Sequence, residues 1–242
     1  MLNIKAIAKR IIFGYKASAQ DYIAYLIKIG VEVGEKIEIF SPRKTTIDVC
    51  NPHLLSIGSY VSMTGPVTIL THDYSVSVTK KYTGGEILGK QLETRIGNNV
   101  FLGHGCLILP GTIINDNTII GAMAVVSGVC EGDSVYAGNP AKRICSLQEF
   151  YEKRKKRQLD EAVNIYKQYS KRFGVTPPEK LFHEYFYLFH GGNDVLIPEF
   201  DKKLSAHQDY NEALVYFRNH VPPFAGYDAF CDYCEKQPEI TN

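Results

Sequence analysis

The sequence predicts a mainly β fold, a parallel β-helix of six-residue repeats (a hexapeptide solenoid) with N-terminal and C-terminal α-helical extensions. Aliphatic residues recur every six positions in two phased blocks, and glycine often follows them, where a tight corner favours a residue without a Cβ. Neither an α-helix nor a long strand has this period, so each hexapeptide is expected to form a short strand and a corner. The expected regions are N-terminal helices over 1–30, the β-helix over 31–145 and a helical, aromatic-rich extension over 146–242.

The N-terminal region is expected to hold two helices. Isoleucines alternate with lysine and arginine over residues 4–12, which predicts a short amphipathic helix that packs on its own protein. Peripheral contact with a membrane surface is the alternative for this helix. Ser18 followed by Asp21 resembles a capping box, so a second helix should begin there and end at Gly30.

The repeat itself is interrupted in its first block and regular in its second. In the first block, the slot that should point inward is held by Val33, Ile39, Ile57, Met63 and Ile69, with Thr45 and Asn51 as exceptions. In the second block, the same slot is aliphatic throughout, in Ile96, Leu102, Ile108, Ile114, Ile120 and Val126. A second inward slot follows four residues after the first, and it contains Cys106 and Cys130, so both thiols are expected to be structural.

Residues 73–95, between the two blocks, lack the repeat and contain three glycines. This segment is therefore predicted to be an excursion loop. Long ordered loops on a rigid scaffold are more often functional than decorative, so we expect the functional site to lie near this loop.

The C-terminal extension should begin with a long helix, because Ser146 and Glu149 form a second capping box. Beyond it, residues 181–234 are rich in Phe and Tyr and predict short helices with loops. Aromatic residues such as Phe186 and Phe189 are expected to form core between these helices and the β-helix, with stacking on sugars as an alternative. The basic run over 153–157 is expected to be a solvated helix face, with a role at the coenzyme phosphates or beside an acidic glycan as the alternative.

Composition excludes several classes of function. Lysine and arginine number 27 against 26 acidic residues, a formal charge of +1, so no global field favours nucleic acid. No apolar stretch approaches the roughly 18 to 20 residues that cross a bilayer, and a cytoplasmic location is expected. Six irregularly spaced cysteines argue against a disulfide framework, and the Cys231–Cys234 pair is expected to be reduced and structural.

The second block, IGNNVFLGHGCLILPGTIINDNTIIGAMAVVSGV, and the later segment AGNPAK resemble the closing coils of the hexapeptide-repeat acyltransferases. The similarity covers about residues 33–144 and is greatest to the maltose, galactoside and xenobiotic O-acetyltransferases. It implies a left-handed β-helix and a homotrimer with active sites between subunits. It also implies acetyl-CoA as the acyl donor, no metal, and a saccharide acceptor in bacterial surface polysaccharide biosynthesis.

The same resemblance implies that His72, in the segment ILTHDYS, is the catalytic base. A sugar hydroxyl is a poor nucleophile until its proton is removed, and an imidazole is largely neutral yet basic near pH 7. Asp73, Glu93 or a backbone carbonyl is expected to orient the ring through its other nitrogen, and the sequence does not choose among them.

The coenzyme site is also implied by resemblance. Its expected residues are Phe101, Gly103, His104, Ala122, Ser127, Lys142 and Arg143. The Gly103–His104 turn should supply a backbone donor to the thioester oxygen, and Lys142 should approach the nucleotide phosphates. Relatives often have a small residue at position 104, which leaves the His104 side chain with three possible roles, in contact with coenzyme, acceptor or solvent.

Three other functions fit parts of the sequence. An antibiotic O-acetyltransferase would share the same branch of the family. A non-catalytic scaffold or glycan-binding module would use the solenoid only to display the aromatic extension. A zinc hydrolase of the carbonic-anhydrase kind would gather His53, His72 and His104 around one ion, but the sequence lacks a closely spaced histidine pair.

Overall fold

Short parallel strands wind into a three-sided coil in the computed structural model, which describes residues 4–206 and 209–238. The strands are β1 (Glu32–Val33), β2 (Glu38–Ile39), β3 (Thr46–Ile47), β4 (Leu55–Ile57), β5 (Val61–Met63), β6 (Thr68–Ile69), β7 (Thr94–Ile96), β8 (Val100–Leu102), β9 (Leu107–Ile108), β10 (Ile113–Ile114), β11 (Thr118–Ile120), β12 (Val125–Val126), β13 (Val129–Cys130), β14 (Ser134–Ala137) and β15 (Lys142–Ser146). Residues 1–3, 207–208 and 239–242 of the predicted extensions lie outside the described residues.

Successive strands belong to three different sheets, so each strand pairs in parallel with the strand three places along the chain. The first sheet has the order β1-β4-β7-β10-β13, and the third has the order β12-β9-β6-β3. The second sheet, β15-β14-β11-β8-β5-β2, ends with β15, which pairs antiparallel to β14. Three hexapeptides thus complete one turn of the coil, which is the physical basis of the six-residue period.

The second block confirms the predicted register. Its inward residues align from coil to coil, as in the pairs Ile96 with Ile114 and Leu102 with Ile120. All six predicted residues of this slot are buried in one hydrophobic core, and so are Cys106 and Cys130. Burial raises the pKa of the Cys106 thiol to about 12, which keeps it protonated and fits a structural role.

The first block departs from the six-residue count. Ile47, rather than Thr45, pairs with Ile69 and occupies the inward slot. A turn over residues 41–45 adds two residues before β3, and Asn51 lies beside a short 3₁₀ helix, Pro52–Leu54, instead of in the core. The parallel hydrogen-bond ladder and the burial of an isoleucine fix this register, and both outweigh regular spacing.

The excursion loop is shorter than predicted. Thr94 and Arg95 belong to β7, where Thr94 pairs with β4 and Arg95 pairs with both β4 and β10, so the departure from the coil covers residues 73–93. It contains one short helix, α3 (Ser77–Tyr82). Backbone hydrogen bonds from Leu92 N–H to the Thr71 carbonyl and from Asp73 N–H to the Lys90 carbonyl close its base.

The remaining helices are α1 (Ile4–Phe13), α2 (Ala19–Ile29), α4 (Leu147–Phe173), α5 (Pro198–Leu204), α6 (Tyr210–Asn219) and α7 (Tyr227–Lys236). Further 3₁₀ turns are Gly14–Lys16, Glu179–Phe182 and Phe186–Leu188. Both capping boxes are confirmed, because Ser18 Oγ accepts from Asp21 N–H and Ser146 Oγ accepts from Glu149 N–H. Gly30 ends α2 with a φ of 102°, in the left-handed region that glycine tolerates.

Helix α1 does not bury its apolar residues as predicted. Ile11 and Ile12 are 80% and 70% exposed, so these side chains do not pack on the rest of the chain. No helix in the described ranges has the length and apolar character needed to cross a membrane.

The chain forms two compact units, Met1–Phe150 and Tyr151–Asn242, with the boundary four residues inside α4 rather than at residue 145. The second unit has its own hydrophobic core. Phe186 and Phe189 pack there with the short helices. Cys231 and Cys234 are free thiols buried in the same cluster.

Candidate active site

The β6 strand leads directly to His72, the predicted base. Thr71 is fully buried after the strand, and His72 forms an isolated antiparallel bridge with Gln91 at the base of the excursion. The backbone of His72 is therefore fixed between the coil and the returning loop. Its side chain is 18% exposed, and its ring meets the edge of the Tyr74 ring at 4.6 Å between centroids.

Asp48 lies against this imidazole. Nδ1 of His72 is 2.5 Å from Oδ2 of Asp48, and the aspartate side chain is only 2% exposed. Asp48 follows β3 directly, one coil below His72, and its N–H donates to the Ile69 carbonyl at 2.9 Å. The pairing of β3 with β6 thus places the carboxylate beside the ring.

Asp48 is ionised because hydrogen bonds outweigh its burial. Burial raises its pKa, but four donors oppose this effect and hold the pKa well below its usual value. Cys50 N–H donates to Oδ1, while Thr71 N–H, the Thr71 hydroxyl and His72 all meet Oδ2. A carboxylate can only accept, so this contact favours the imidazole tautomer with its proton on Nδ1.

Neither predicted orienting residue fills that place. A hydrogen bond from Lys90 lowers the pKa of Asp73 to about 2, and this ion pair spans 2.7 Å. Glu93 pairs with Arg95 at 3.3 Å on an exposed surface. Both carboxylates are thus engaged with cations of the excursion and of β7, and Asp48 replaces them as the partner of His72.

The six-residue count does not reveal Asp48, because it places inward slots at Thr45 and Asn51 rather than at Ile47. The pairing of Ile47 with Ile69 reveals Asp48, because it places the residues after β3 beside the residues after β6. An aspartate directly after an inward isoleucine, one coil below a histidine, is the pattern to seek.

One group of potential metal ligands occurs in the described ranges, formed by Asp48, Cys50 and His72 with donor atoms within 4.8 Å of one another. His53 and His104 are not in it, which removes the three-histidine arrangement of a zinc hydrolase. Cys50 is exposed. Partial loss of solvent around its thiol and the nearby Asp48 charge both raise the pKa of that thiol. Oδ2 of Asp48 and Nδ1 of His72 are joined by a hydrogen bond within this group.

The Gly103–His104 corner lies after β8, and its amides differ in availability. Gly103 N–H donates to the Ile120 carbonyl, and Gly105 N–H donates to the Pro66 carbonyl. Within the ranges that the structure describes, His104 N–H meets no acceptor. A Cβ on Gly103 would come within 2.6 Å of the Ala122 amide nitrogen, so glycine is required for adjacent corners to stack.

The other predicted coenzyme residues are spread over the coil. Ala122 lies at the corner above His104, and Ser127 follows β12; both are exposed. Lys142 and Arg143 lie on the exposed strand β15, where Arg143 Nε donates to the Ser134 hydroxyl. Phe101 points outward from β8, between Ser62 and Ile119 on the neighbouring strands.

The third sheet, β3-β6-β9-β12, separates two groups of predicted residues. His72 and Ser127 follow strands of this sheet, whereas Gly103, His104 and Ala122 lie at corners that precede its strands. His72 and Asp48 therefore lie together beyond the C-terminal ends of the strands of the third sheet. The predicted oxyanion donor lies beyond the N-terminal ends of the strands of the same sheet.

Comparison with known proteins gives matches to transferases. A family described as "Bacterial transferase hexapeptide (six repeats)" matches residues 93–128, which span β7 to β12. Protein CapG of Staphylococcus aureus is 36% identical over 124 residues, covering 51% of this chain and 70% of that protein. The provisionally named lipopolysaccharide biosynthesis O-acetyl transferase WbbJ of Escherichia coli (strain K12) is 47% identical over 49 residues, covering 20% of this chain and 25% of that protein. A solved galactoside acetyltransferase in complex with coenzyme A is 20% identical with a TM-score of 0.37, covering 60% of this chain and 81% of the other.

Proposed function

The chain belongs to the hexapeptide-repeat acyltransferase family and is an acyltransferase, and from this premise we propose that it transfers an acetyl group from acetyl-CoA to a saccharide hydroxyl. The Asp48–His72 pair carries the proposal, because it supplies the base that activates a hydroxyl. The similarity to WbbJ, named for lipopolysaccharide biosynthesis, supports a role in bacterial surface polysaccharide biosynthesis.

In the proposed reaction, Nε2 of His72 takes the proton of the acceptor hydroxyl while the oxygen attacks the thioester carbonyl. Asp48 is already ionised and stabilises the imidazolium that forms. The tetrahedral intermediate then collapses, the carbon–sulfur bond breaks, and the imidazolium gives its proton to the leaving thiolate. The acetyl group thus passes directly from coenzyme to acceptor.

The thioester oxygen gains negative charge in the intermediate and needs a donor. We assign this role to the backbone N–H of His104, because the neighbouring Gly103 amide is used in the coil ladder. One such donor commonly contributes about 3 kcal/mol to transition-state stabilisation.

Coenzyme A is proposed to lie along the corners of the second block. Ala122 and Ser127 would line the pantetheine channel, and Phe101 would form part of its wall. Lys142 would approach the nucleotide phosphates. Arg143 is the weaker candidate, since its guanidinium already donates to Ser134 and lies 3.8 Å from Glu131.

His72 and the His104 corner lie at opposite ends of the strands of the third sheet. This separation supports a site shared between copies of the chain. We propose a homotrimer of left-handed β-helices in which His72 of one copy faces the His104 corner of the next. The enzyme would act in the cytoplasm, where acetyl-CoA is available.

Release of coenzyme thiol from acetyl-CoA, measured with a panel of saccharide acceptors, tests the proposal. We expect acceptor-dependent release by the wild type and loss of at least about 100-fold in kcat for His72→Ala. His53→Ala is the matched control, because His53 is exposed and lies outside the Asp48–His72 group, and it should retain activity.

Release with chloramphenicol but with no saccharide would replace the proposed acceptor class by an antibiotic. Calorimetry that detected no binding of acetyl-CoA would refute the donor and favour a non-catalytic scaffold. Sedimentation of His72→Ala should give the same trimer mass as the wild type, which separates loss of the base from loss of assembly.

A further inference from the structure

The second unit contains a groove that the transfer chemistry does not use. It has a volume of about 710 Å³, within the range of about 300 to 1,000 Å³ typical of ligand sites. Helix α4 forms one wall with Tyr151, Arg154, Lys155 and Gln158, which share a helix face by their spacing. Of the lysines in the basic run over 153–157, Lys155 lines the groove and Lys153 does not.

The groove presents aromatic rings to solvent. Tyr151 and Tyr216 line it and are 50% and 64% exposed. Tyr216 stacks on His220 at 5.9 Å between ring centroids, and Nε2 of His220 donates to the Tyr187 carbonyl at 2.6 Å. Tyr216 is thus packed against His220 of the same unit, while most of its ring remains exposed to solvent. Rings with an apolar face and a polar tip suit a ligand that has both kinds of surface.

The charged side chains that line the groove determine whether it favours an acidic or a basic ligand. Arg154 is neutralised by a two-point hydrogen bond to Glu161, and Glu184 is neutralised by Lys203. Lys155 is held 5.7 Å from the centre of the Tyr151 ring and has no carboxylate partner in the described ranges. The uncompensated charge on the lining is therefore positive and lies beside an aromatic ring.

We propose that this groove binds an acidic saccharide chain, with sugar rings packed on the exposed tyrosines and a carboxylate paired with Lys155. A pyranose has an apolar C–H face that packs on a phenol ring, and its hydroxyl groups match the amide of Gln158. The inference rests on the proposed function, since it names the acceptor polymer that the second unit holds for the transfer site.

Isothermal calorimetry of the full chain tests the proposal without acetyl-CoA. The probes are a tetrasaccharide of galacturonic acid and a neutral tetrasaccharide of galactose. We expect the acidic probe to bind about tenfold more tightly, as one charge-assisted hydrogen bond predicts. Lys155→Ala should abolish this preference, and the matched variant Lys153→Ala should keep it.

Tyr216 provides the second arm of the test. Tyr216→Ala should weaken binding of both probes about tenfold, whereas Tyr216→Phe, which keeps the ring, should bind within twofold of the wild type. Tyr216 is largely exposed, so Tyr216→Ala should keep the melting temperature of the wild type.

The proposal is overturned if neither probe binds, or if Lys155→Ala keeps the same preference for the acidic probe as Lys153→Ala. A lower sedimentation mass for Tyr216→Ala would also overturn it, since the groove would then be an interface between copies of the chain. His72→Ala should bind both probes as the wild type does. Failure of acetyl transfer and failure of this groove are thus measured separately.

Discussion

Asp48→Asn keeps the shape of the side chain and removes its charge, which isolates the effect of the carboxylate on His72. Oδ2 accepts from Thr71 N–H, the Thr71 hydroxyl and His72 Nδ1, and Oδ1 accepts from Cys50 N–H. An asparagine has one acceptor oxygen and one NH₂ group, so it cannot accept at both positions.

Either orientation of the new amide leaves a donor facing a donor. If its oxygen faces Thr71 and His72, the NH₂ group meets Cys50 N–H, and this part-buried donor is left unpaired at a cost of about 1 kcal/mol of stability. If the NH₂ group faces His72, the imidazole must accept at Nδ1 and hold its proton on Nε2, where the base is needed. Loss of the tautomer and of the stabilising charge should lower kcat about 10²- to 10⁴-fold.

The assay is acetyl-CoA thiol release with the best saccharide acceptor, together with calorimetry of acetyl-CoA binding. Asp73→Asn is the matched control, because it makes the same change one residue from His72 at a carboxylate paired with Lys90. We expect normal coenzyme binding by both variants and near-normal turnover by Asp73→Asn. Equal turnover by the two variants, or an Asp48→Asn enzyme within threefold of the wild type, refutes the assignment.

Four further predictions follow from named contacts. Folding lowers the pKa of Asp48, so its ionised form should stabilise the fold fully above the unfolded pKa of about 3.9, and this contribution should be lost as the pH falls below that value. Urea unfolding of the wild type and Asp48→Asn at a series of pH values measures it. Cys50 should be alkylated by iodoacetamide before buried Cys106 in intact-mass spectra, and an equal rate would contradict the fold of the coil. Ser146→Ala should lower the unfolding free energy by about 1 kcal/mol through loss of the α4 cap, measured by urea titration. Lys142→Ala should raise the KM for acetyl-CoA about tenfold with little change in kcat, and an unchanged KM would remove Lys142 from the phosphate site.

The second block of repeats could be predicted from sequence alone because no residue is inserted between Ile96 and Val126. Every hexapeptide there fills one side of the coil, so spacing and hydrogen-bond register agree. In the first block, the turn over 41–45 displaces the inward slot to Ile47. Such a turn changes the count without changing composition, so a fixed period misassigns the residues that follow it.

The site was predictable only in part for the same reason. The family resemblance predicts His72 as the base, and the end of the repeat just after it marks the same place in the sequence. The partner of His72 depends on which residue of the lower coil lies beside it, and this is a question of register between strands. Asp73 and Glu93 are near His72 along the chain, but Lys90 and Arg95 hold their carboxylates elsewhere.

The hydrogen-bond ladder that stabilises the coil also aligns the proposed catalytic pair, Asp48 and His72. Asp48 directly follows Ile47, and His72 comes three residues after Ile69, so the pairing of these two isoleucines determines where the carboxylate and the imidazole meet. A slip of one residue would turn Asp48 to the opposite face and separate the two groups. The additional residues of this coil precede β3 or follow Asp48, and the excursion begins after His72. Because the segments between each isoleucine and its functional residue contain no insertion, the coil can vary in length on both sides while the acid–base geometry stays fixed.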